Sequence, residues 1–159
     1  MKILLVYPYF LEERLLDEDI RPVPIGLFSV AAVLKESGYD VEVLNWHDVR
    51  STPKKIVEIL SEKRPDVLGL SILHGNRWGG IEIAGTAKRL LPNVRVVFGG
   101  PGATFLWEHL LTHFPEIDYV MVGEGEYPFL HLVRHMEKAG DSPPEGLRGI
   151  AFRKGRRTV

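Results

Sequence analysis

The sequence predicts an α/β fold of the flavodoxin-like type: a doubly wound five-stranded parallel sheet with helices on both faces, plus a C-terminal β-hairpin. Short, nearly continuous apolar runs alternate with longer segments whose apolar residues recur at helical spacing. Apolar runs of this kind are typical of strands buried on both faces, as in parallel sheets. Right-handed crossovers between such strands leave few possible topologies.

Five apolar runs carry the predicted parallel strands. Each is bounded by proline, glycine or charged residues, which mark the turns between elements. In chain order the predicted strands cover residues 2–7, 41–46, 67–73, 94–98 and 118–122.

The segments that follow the first two strands predict helices with recognisable ends. Pro24 opens the first helix, where its missing N–H costs nothing, and Gly38 ends it. Ser51 or Thr52 is expected to cap the second helix, and Pro65 to end it.

Three further helices complete the alternation. The third is expected over residues 81–91, with Pro92 beyond its end. Thr104 is expected to cap a short fourth helix, and the last helix covers about residues 127–138.

The character of the chain changes after Gly140. Residues 141–146 predict a linker, and residues 149–159 a β-hairpin turning at Lys154-Gly155. We therefore expect one domain over residues 1–140 and a linker and hairpin over 141–159. Because the second hairpin strand reaches the last residue, we expect the natural protein to continue.

Composition restricts the function classes. The 20 basic and 21 acidic residues give a net charge of −1, which does not indicate a nucleic-acid partner. No apolar run reaches the roughly 18 residues of a membrane span, and no signal peptide is evident, so we expect a cytoplasmic protein. The lack of cysteine excludes disulfides, thiolate catalysis and cysteine-held metal clusters within this chain.

The predicted topology places any ligand at one edge of the sheet. In doubly wound sheets ligands bind beyond the carboxyl ends of the strands. The loops at that edge are residues 8–23, 46–51, 73–79, 99–104 and 123–126, and glycines cluster in three of them.

Two histidine pairs have the spacing of a metal-binding helix face. His131 and His135 are four residues apart, as are His109 and His113. Neither pair has an evident third ligand, which favours a solvated helix face. No Ser-His-acid arrangement is supported by the spacing, and we assign no catalytic residue and no protein metal ligand.

The loops at the ligand edge contain residues open to two interpretations. His74 follows the third strand and is either a ligand contact or a surface histidine. Gly99-Gly100 allows a close ligand approach, or simply forms a tight strand-to-helix turn. Glu124 and Glu126 suit acid–base chemistry or a helix N-terminus, where negative charge is favoured.

Three short motifs, taken together, are typical of one protein family. Ser71-Ile72-Leu73 is an SxL motif, residues 74–98 separate it from Gly99-Gly100, and the fifth strand runs into GEGE at 123–126. With the order of strands and the closing hairpin, the chain resembles the N-terminal cobalamin-binding domain of many radical SAM enzymes. That group includes methyltransferases and the anaerobic magnesium-protoporphyrin IX monomethyl ester cyclases.

The first motif of the wider cobalamin-binding fold, DxHxxG, is altered here. If Gly26 matches its last glycine, Arg21 stands at the aspartate position and Val23 at the position of the cobalt-ligating histidine. Valine has no lone pair for cobalt. The resemblance therefore implies cobalamin held base-off without a histidine ligand from the protein, as is common in the radical SAM branch.

The resemblance implies a set of cofactor-binding residues. Ser71 and Leu73 would line a groove for the nucleotide tail of cobalamin, and Gly99 and Gly100 would leave room for it beside the sheet. The full set of expected contacts is Pro24, Gly26, Ser71, Leu73, His74, Gly99, Gly100, Pro101, Gly102, Glu124 and Gly125.

The resemblance also implies a second domain. Radical SAM chemistry uses S-adenosylmethionine and a [4Fe-4S] cluster held by three cysteines, which this chain lacks. We therefore expect the chain to be the cofactor-holding part of a methyltransferase or oxidative cyclase, with a downstream radical SAM domain. Two alternatives stay open: a degenerate member acting as a docking module without cofactor, and an unrelated flavodoxin-like small-ligand-binding protein.

Overall fold

The computed structural model describes residues 1–10, 23–46, 53–140, 142–155 and 157–159. None of the helices in these ranges combines the length and the hydrophobicity that a membrane span needs. The strands are β1 Lys2–Tyr7, β2 Asp40–Asn45, β3 Val67–Ser71, β4 Arg95–Gly99, β5 Tyr119–Met121, β6 Ile150–Lys154 and β7 Arg157–Thr158. The helices are α1 Ile25–Glu36, α2 Pro53–Lys63, α3 Arg77–Leu90, α4 Pro101–His113 and α5 Glu126–Ala139.

All seven strands form one sheet in the order β2-β1-β3-β4-β5-β6-β7. The first five are parallel and follow the 2-1-3-4-5 order of flavodoxin-like folds, which confirms the predicted fold class. The expected five-stranded sheet is extended to seven, because β6 of the hairpin pairs antiparallel with β5. This pairing covers what would otherwise be an open edge of the parallel sheet.

The sheet divides the core into two layers. Helices α1 and α5 pack on one face, through side chains such as Leu34 and Leu132. Helices α2, α3 and α4 pack on the other face, with Leu60, Ile83 and Leu110 fully or almost fully buried. Both strand faces are therefore covered, which is why the strands are apolar without alternation.

Two helices begin earlier than the sequence pattern predicts. Helix α3 starts at Arg77 rather than residue 81. Helix α4 starts at Pro101, so the prediction that Thr104 caps it is wrong. Gly100 (φ 85°) turns the chain there, and Pro101 occupies the first helical position, where proline is favoured. The predicted caps Ser51 and Thr52 lie outside the described residues.

A buried asparagine holds the loop after β3 against the end of β1. Asn76 is completely buried, and its Oδ1 accepts a hydrogen bond of 2.7 Å from the Leu73 N–H. Its Nδ2 donates to the Pro8 carbonyl at 3.3 Å. One side chain thus satisfies backbone groups from two neighbouring loops and fixes their relative position.

Hydrogen bonds from one arginine attach the hairpin to the end of α4. Arg153 of β6 donates from Nη1 to the Leu111 carbonyl at 2.8 Å and from Nη2 to the Pro115 carbonyl at 3.1 Å. It also donates to the carbonyl of Ile117. These are carbonyls at and beyond the end of α4, which have no partner within that helix. The hairpin is therefore bound to the body of the domain through charge-assisted hydrogen bonds.

Replacing Asn76 tests the link between the two loops. Asn76→Ala leaves the Leu73 N–H and the Pro8 carbonyl without this partner, so we expect the free energy of unfolding to fall by about 1–3 kcal/mol. Urea denaturation measures the change. Asn93→Ala, at an exposed loop position, is the control and should have little effect. Equal stability of the two variants would contradict this account of Asn76.

Candidate functional site

A cavity of about 570 Å³ opens at the carboxyl ends of the parallel strands, on the face covered by α1 and α5. This is the edge at which the fold class predicts ligand binding. The lining residues are Leu5, Tyr7, Val23, Pro24, Gly26, Leu27, Val30, Gly69, Leu70, Ser71, Leu73, Val97, Gly99, Gly100, Pro101, Thr104, Phe105, Met121, Gly123, Glu124, Gly125, Glu126 and Phe129.

Strand register explains why there is open space between the sheet and the helices α1 and α5 here. Leu5, Gly69 and Val97 are neighbours across β1, β3 and β4, and Ser71 pairs with Gly99 two residues further along. Because side chains alternate along a strand, these residues all face the same side of the sheet. Two glycines and a serine therefore replace the large side chains that would fill the space beneath α1 and α5.

The two glycines mark different depths of the groove. A Cβ atom at Gly69 would lie 2.6 Å from Leu5 Cδ2 and 3.1 Å from Phe129 Cε2, so the groove is already closed there. A Cβ atom at Gly99 would meet nothing nearer than Met121 Cβ at 3.6 Å, an ordinary contact. Gly69 thus forms the floor, and the space above Gly99 is open.

The turn after β4 packs backbone against backbone with the loop after β3. The Gly102 N–H donates to the Ile72 carbonyl at 2.9 Å, and the Ile72 N–H donates to the Gly99 carbonyl at 2.8 Å. Cβ atoms at Gly100 and Gly102 would each lie 2.8 Å from backbone atoms of Ile72 or Leu73. These glycines allow the two loops to meet and shape the wall of the cavity.

The mouth of the cavity is apolar and exposed. Phe105 is 85% exposed, Val23 67% and Leu73 39%, although all three line the cavity. Ile25 and Tyr127 are exposed at 72% and 65%, next in sequence to the lining residues Pro24 and Glu126. An exposed apolar cluster of this kind marks a place where a ligand or another protein surface binds.

Few polar side chains reach this cavity. The Gly123 N–H donates to Thr104 Oγ1 at 3.1 Å, which ties the loop after β5 to α4. Tyr7 is 4% exposed, and its hydroxyl has no hydrogen-bond partner among the described residues. Burial raises the pKa of the Tyr7 phenol, which therefore stays protonated at neutral pH.

Most of the residues expected at the site meet in this one cavity. His74 and Gly102 do not line it: His74 is exposed and its carbonyl accepts from Arg77, while Gly102 faces the backbone of Leu73. The expected residues that do line it are Pro24, Gly26, Ser71, Leu73, Gly99, Gly100, Pro101, Glu124 and Gly125.

The acidic residues and the histidine pairs have simpler structural explanations. Glu126 is the first residue of α5, where negative charge is favoured, and Glu124 is exposed beside it. His135 Nε2 donates to the Ser142 carbonyl at 2.8 Å. Across the part of the chain that the structure describes, no three His, Asp or Glu side chains group together in a way that could hold a metal ion.

Several residues that line the cavity were not predicted from the sequence. Met121 and Phe129 look like ordinary core residues, and Tyr7 like the end of an apolar strand. Only Gly69 carried a usable signal, because a glycine inside a strand often marks a close approach of ligand or backbone.

Comparison with known families identifies the domain. The B12 binding domain family matches residues 21–133, which is most of the chain. The chain therefore belongs to the B12-binding domain family, and the resemblance seen in the sequence is confirmed.

Two curated relatives are longer proteins that contain a segment similar to this chain. The chain is 30% identical over 131 residues to an uncharacterized methyltransferase of Pyrococcus horikoshii, with 82% of this chain and 28% of that protein covered. It is 31% identical over 133 residues to the anaerobic magnesium-protoporphyrin IX monomethyl ester cyclase of Synechocystis, covering 82% and 26%. The chain thus spans little more than a quarter of these relatives.

A solved structure shares the fold. The radical S-adenosylmethionine methyltransferase TsrM from Kitasatospora setae, with cobalamin and a [4Fe-4S] cluster bound, superposes with a TM-score of 0.82. The sequences are 24% identical, and the match covers 100% of this chain and 28% of that one. The cavity also suits cobalamin on its own features, since the space over Gly99 is open and the buried Tyr7 hydroxyl in its lining has no hydrogen-bond partner among the described residues.

The two loops that meet at Gly100 can be tested by substitution. Gly100→Ala forces a side chain into φ 85° and places its Cβ 2.8 Å from the Ile72 carbonyl oxygen. Gly146→Ala is the matched control, because Gly146 has nearly the same φ (84°) with no atom within 4 Å. We expect Gly146→Ala to lower the unfolding free energy by about 1 kcal/mol, and Gly100→Ala by about 1–3 kcal/mol more. Equal losses in chemical denaturation would show that the close contact is unimportant.

Proposed function

We propose that the chain is the cobalamin-holding part of a radical SAM enzyme and binds cobalamin base-off, without a histidine from the protein on cobalt. The observation that carries the proposal is the groove over Gly99, which has its floor at Gly69 and is open on the α1/α5 face at the ligand edge of the sheet. The groove is deep and is flanked by small residues, which suits a flat nucleotide base. The lining within the described residues contains no histidine.

The cavity residues divide naturally between the two parts of cobalamin. Ser71, Gly99 and Gly100 flank the groove and would contact the nucleotide tail. Pro24, Gly26, Leu73, Pro101, Glu124 and Gly125 lie on the loops and helix starts beyond the strand ends, where the wide corrin ring would rest. An exposed apolar mouth is the expected surface for a large ring.

Val23, at the position that matches the histidine of the DxHxxG motif, supports the proposal that cobalamin is bound base-off. Val23 lines the cavity and is 67% exposed, so it can lie against the corrin without offering a ligand atom. Pro24 follows it as the N-cap residue of α1. The protein would thus shield the lower face of the ring with apolar groups.

The proposed enzyme requires a second domain. Bound cobalamin supplies methyl-transfer or redox chemistry, and the radical chemistry needs S-adenosylmethionine and a [4Fe-4S] cluster. The chain has no cysteine to hold such a cluster, and it spans little more than a quarter of its relatives. The exposed side chains of Phe105, Val23 and Ile25 offer an apolar surface against which the ring and a downstream domain in the same polypeptide would pack.

Cofactor retention tests the proposal directly. The 159-residue chain is mixed with hydroxocobalamin, desalted, and examined by visible spectroscopy. We expect cobalamin to remain bound with the spectrum of a base-off form. A base-on spectrum would contradict the groove assignment. No retention at high micromolar cobalamin would favour the second candidate, a docking module without cofactor, which the valine at position 23 motivates.

A side chain added above the groove should block the tail. Gly99→Leu projects into the open space over β4, and because the backbone at Gly99 does not have positive φ, the fold can accept a side chain there. We expect cobalamin affinity to fall about tenfold or more. Gly85→Leu is the control, since Gly85 lies in α3 outside the cavity, where an added Cβ meets only the tip of Arg89. Similar affinities for both variants would refute this placement of the tail.

A further inference from the structure

The Tyr7 hydroxyl is an unusual group in this molecule. Within the described part of the chain, it is the one buried side-chain oxygen or nitrogen that lacks a hydrogen-bond partner. Leaving such a group unpaired in a protein interior is unfavourable. Tyr7 lines the cavity, so a ligand in that cavity is in a position to supply the missing partner.

Strand register places Tyr7 beside the groove. Val6 of β1 pairs with Leu70 of β3, and Tyr7 and Ser71 are the next residues along these strands. Ser71 in turn pairs with Gly99 of β4. Tyr7, Ser71 and Gly99 therefore stand at one level across three adjacent strands. The side chain of Tyr7 packs in the same core layer as Leu5, on the α1/α5 face.

An aromatic contact helps to hold the tyrosine ring in place. The rings of Tyr7 and Phe10 meet edge to face with centroids 6.4 Å apart. Burial raises the pKa of the phenol, so its proton remains available for donation. A fixed, protonated hydroxyl in an apolar setting is a strong and directional hydrogen-bond donor.

We propose that Tyr7 is a ligand-binding residue whose hydroxyl donates a hydrogen bond to an acceptor atom on the nucleotide tail of cobalamin. The inference rests on the proposed function and adds a contact that the sequence motifs do not contain. The tail is favoured over the corrin ring because Tyr7 lies at the level of Ser71 and Gly99, the last residues of their strands, beside which the tail is proposed to lie. The corrin would rest on the loops beyond them.

Tyr7→Phe tests this assignment, because it keeps the ring and removes only the hydroxyl. We expect the affinity of the 159-residue chain for hydroxocobalamin, measured by isothermal titration calorimetry, to fall about tenfold. Cobinamide has the corrin but no nucleotide tail, and its affinity should not change. The thermal midpoint of the ligand-free chain should stay the same or rise, since the hydroxyl has no hydrogen-bond partner to lose among the residues that the structure describes.

Tyr119→Phe is the matched control. Tyr119 is also buried on the α1/α5 face, with a phenol pKa raised by burial, but it does not line the cavity. Its substitution should leave both affinities unchanged.

Four results would overturn the inference in different ways. Unchanged cobalamin affinity in Tyr7→Phe would remove Tyr7 from the site while leaving the proposed function intact. Equal losses for cobalamin and cobinamide would exclude a contact with the tail. A lower midpoint of the ligand-free variant would indicate a structural role for the hydroxyl. Failure of the unaltered chain to bind cobalamin would overturn the proposed function, and the inference with it.

Discussion

The cavity depends on one constraint, which is that three positions facing α1 and α5 have no large side chain. Gly69, Ser71 and Gly99 lie on the two central strands β3 and β4, at the level where the helices would otherwise rest on apolar side chains. Protein interiors are normally filled to high density, and Leu5 and Phe129 do fill the space over Gly69, but the space over Gly99 is left as a groove. The opposite face of the same strands is filled by Leu68, Val96 and other core residues. The groove is therefore a local property of one face.

The surrounding loops make this groove accessible without weakening the fold. Gly100 and Gly102 allow the turn after β4 to lie directly on the backbone at Ile72 and Leu73. Asn76 anchors the same loop to Pro8 at the end of β1. The walls are thus fixed by backbone contacts and one buried amide, while the apolar mouth at Phe105 stays exposed. A ligand would meet a preformed groove and gain affinity because little ordering is required.

The fold class and most of the residues expected at the cavity could be predicted from the sequence, for physical reasons that differ. Apolar runs between turn residues gave the five parallel strands, and their order followed from the few allowed crossovers. Ser71 and the Gly99-Gly100 pair were predicted from local motifs. The proposed role of Tyr7 could not be predicted, because it depends on register with Ser71 and on the lack of a hydrogen-bond partner among the described residues, and neither is visible along the chain. The early start of α4 was missed because Thr104 resembles a cap, whereas Gly100 and Pro101 form the real one. The antiparallel extension through β6 likewise depends on long-range pairing with β5.

The groove over Gly99 is the proposed site of the nucleotide tail of cobalamin. The most direct test is a crystal structure of the chain with cobalamin bound. We expect the tail to lie between the sheet and helices α1 and α5, in van der Waals contact with Ser71 and Gly99, and the cobalt to have no ligand atom from the protein. A tail still coordinated to cobalt, or one lying on the α2/α3/α4 face, would contradict it.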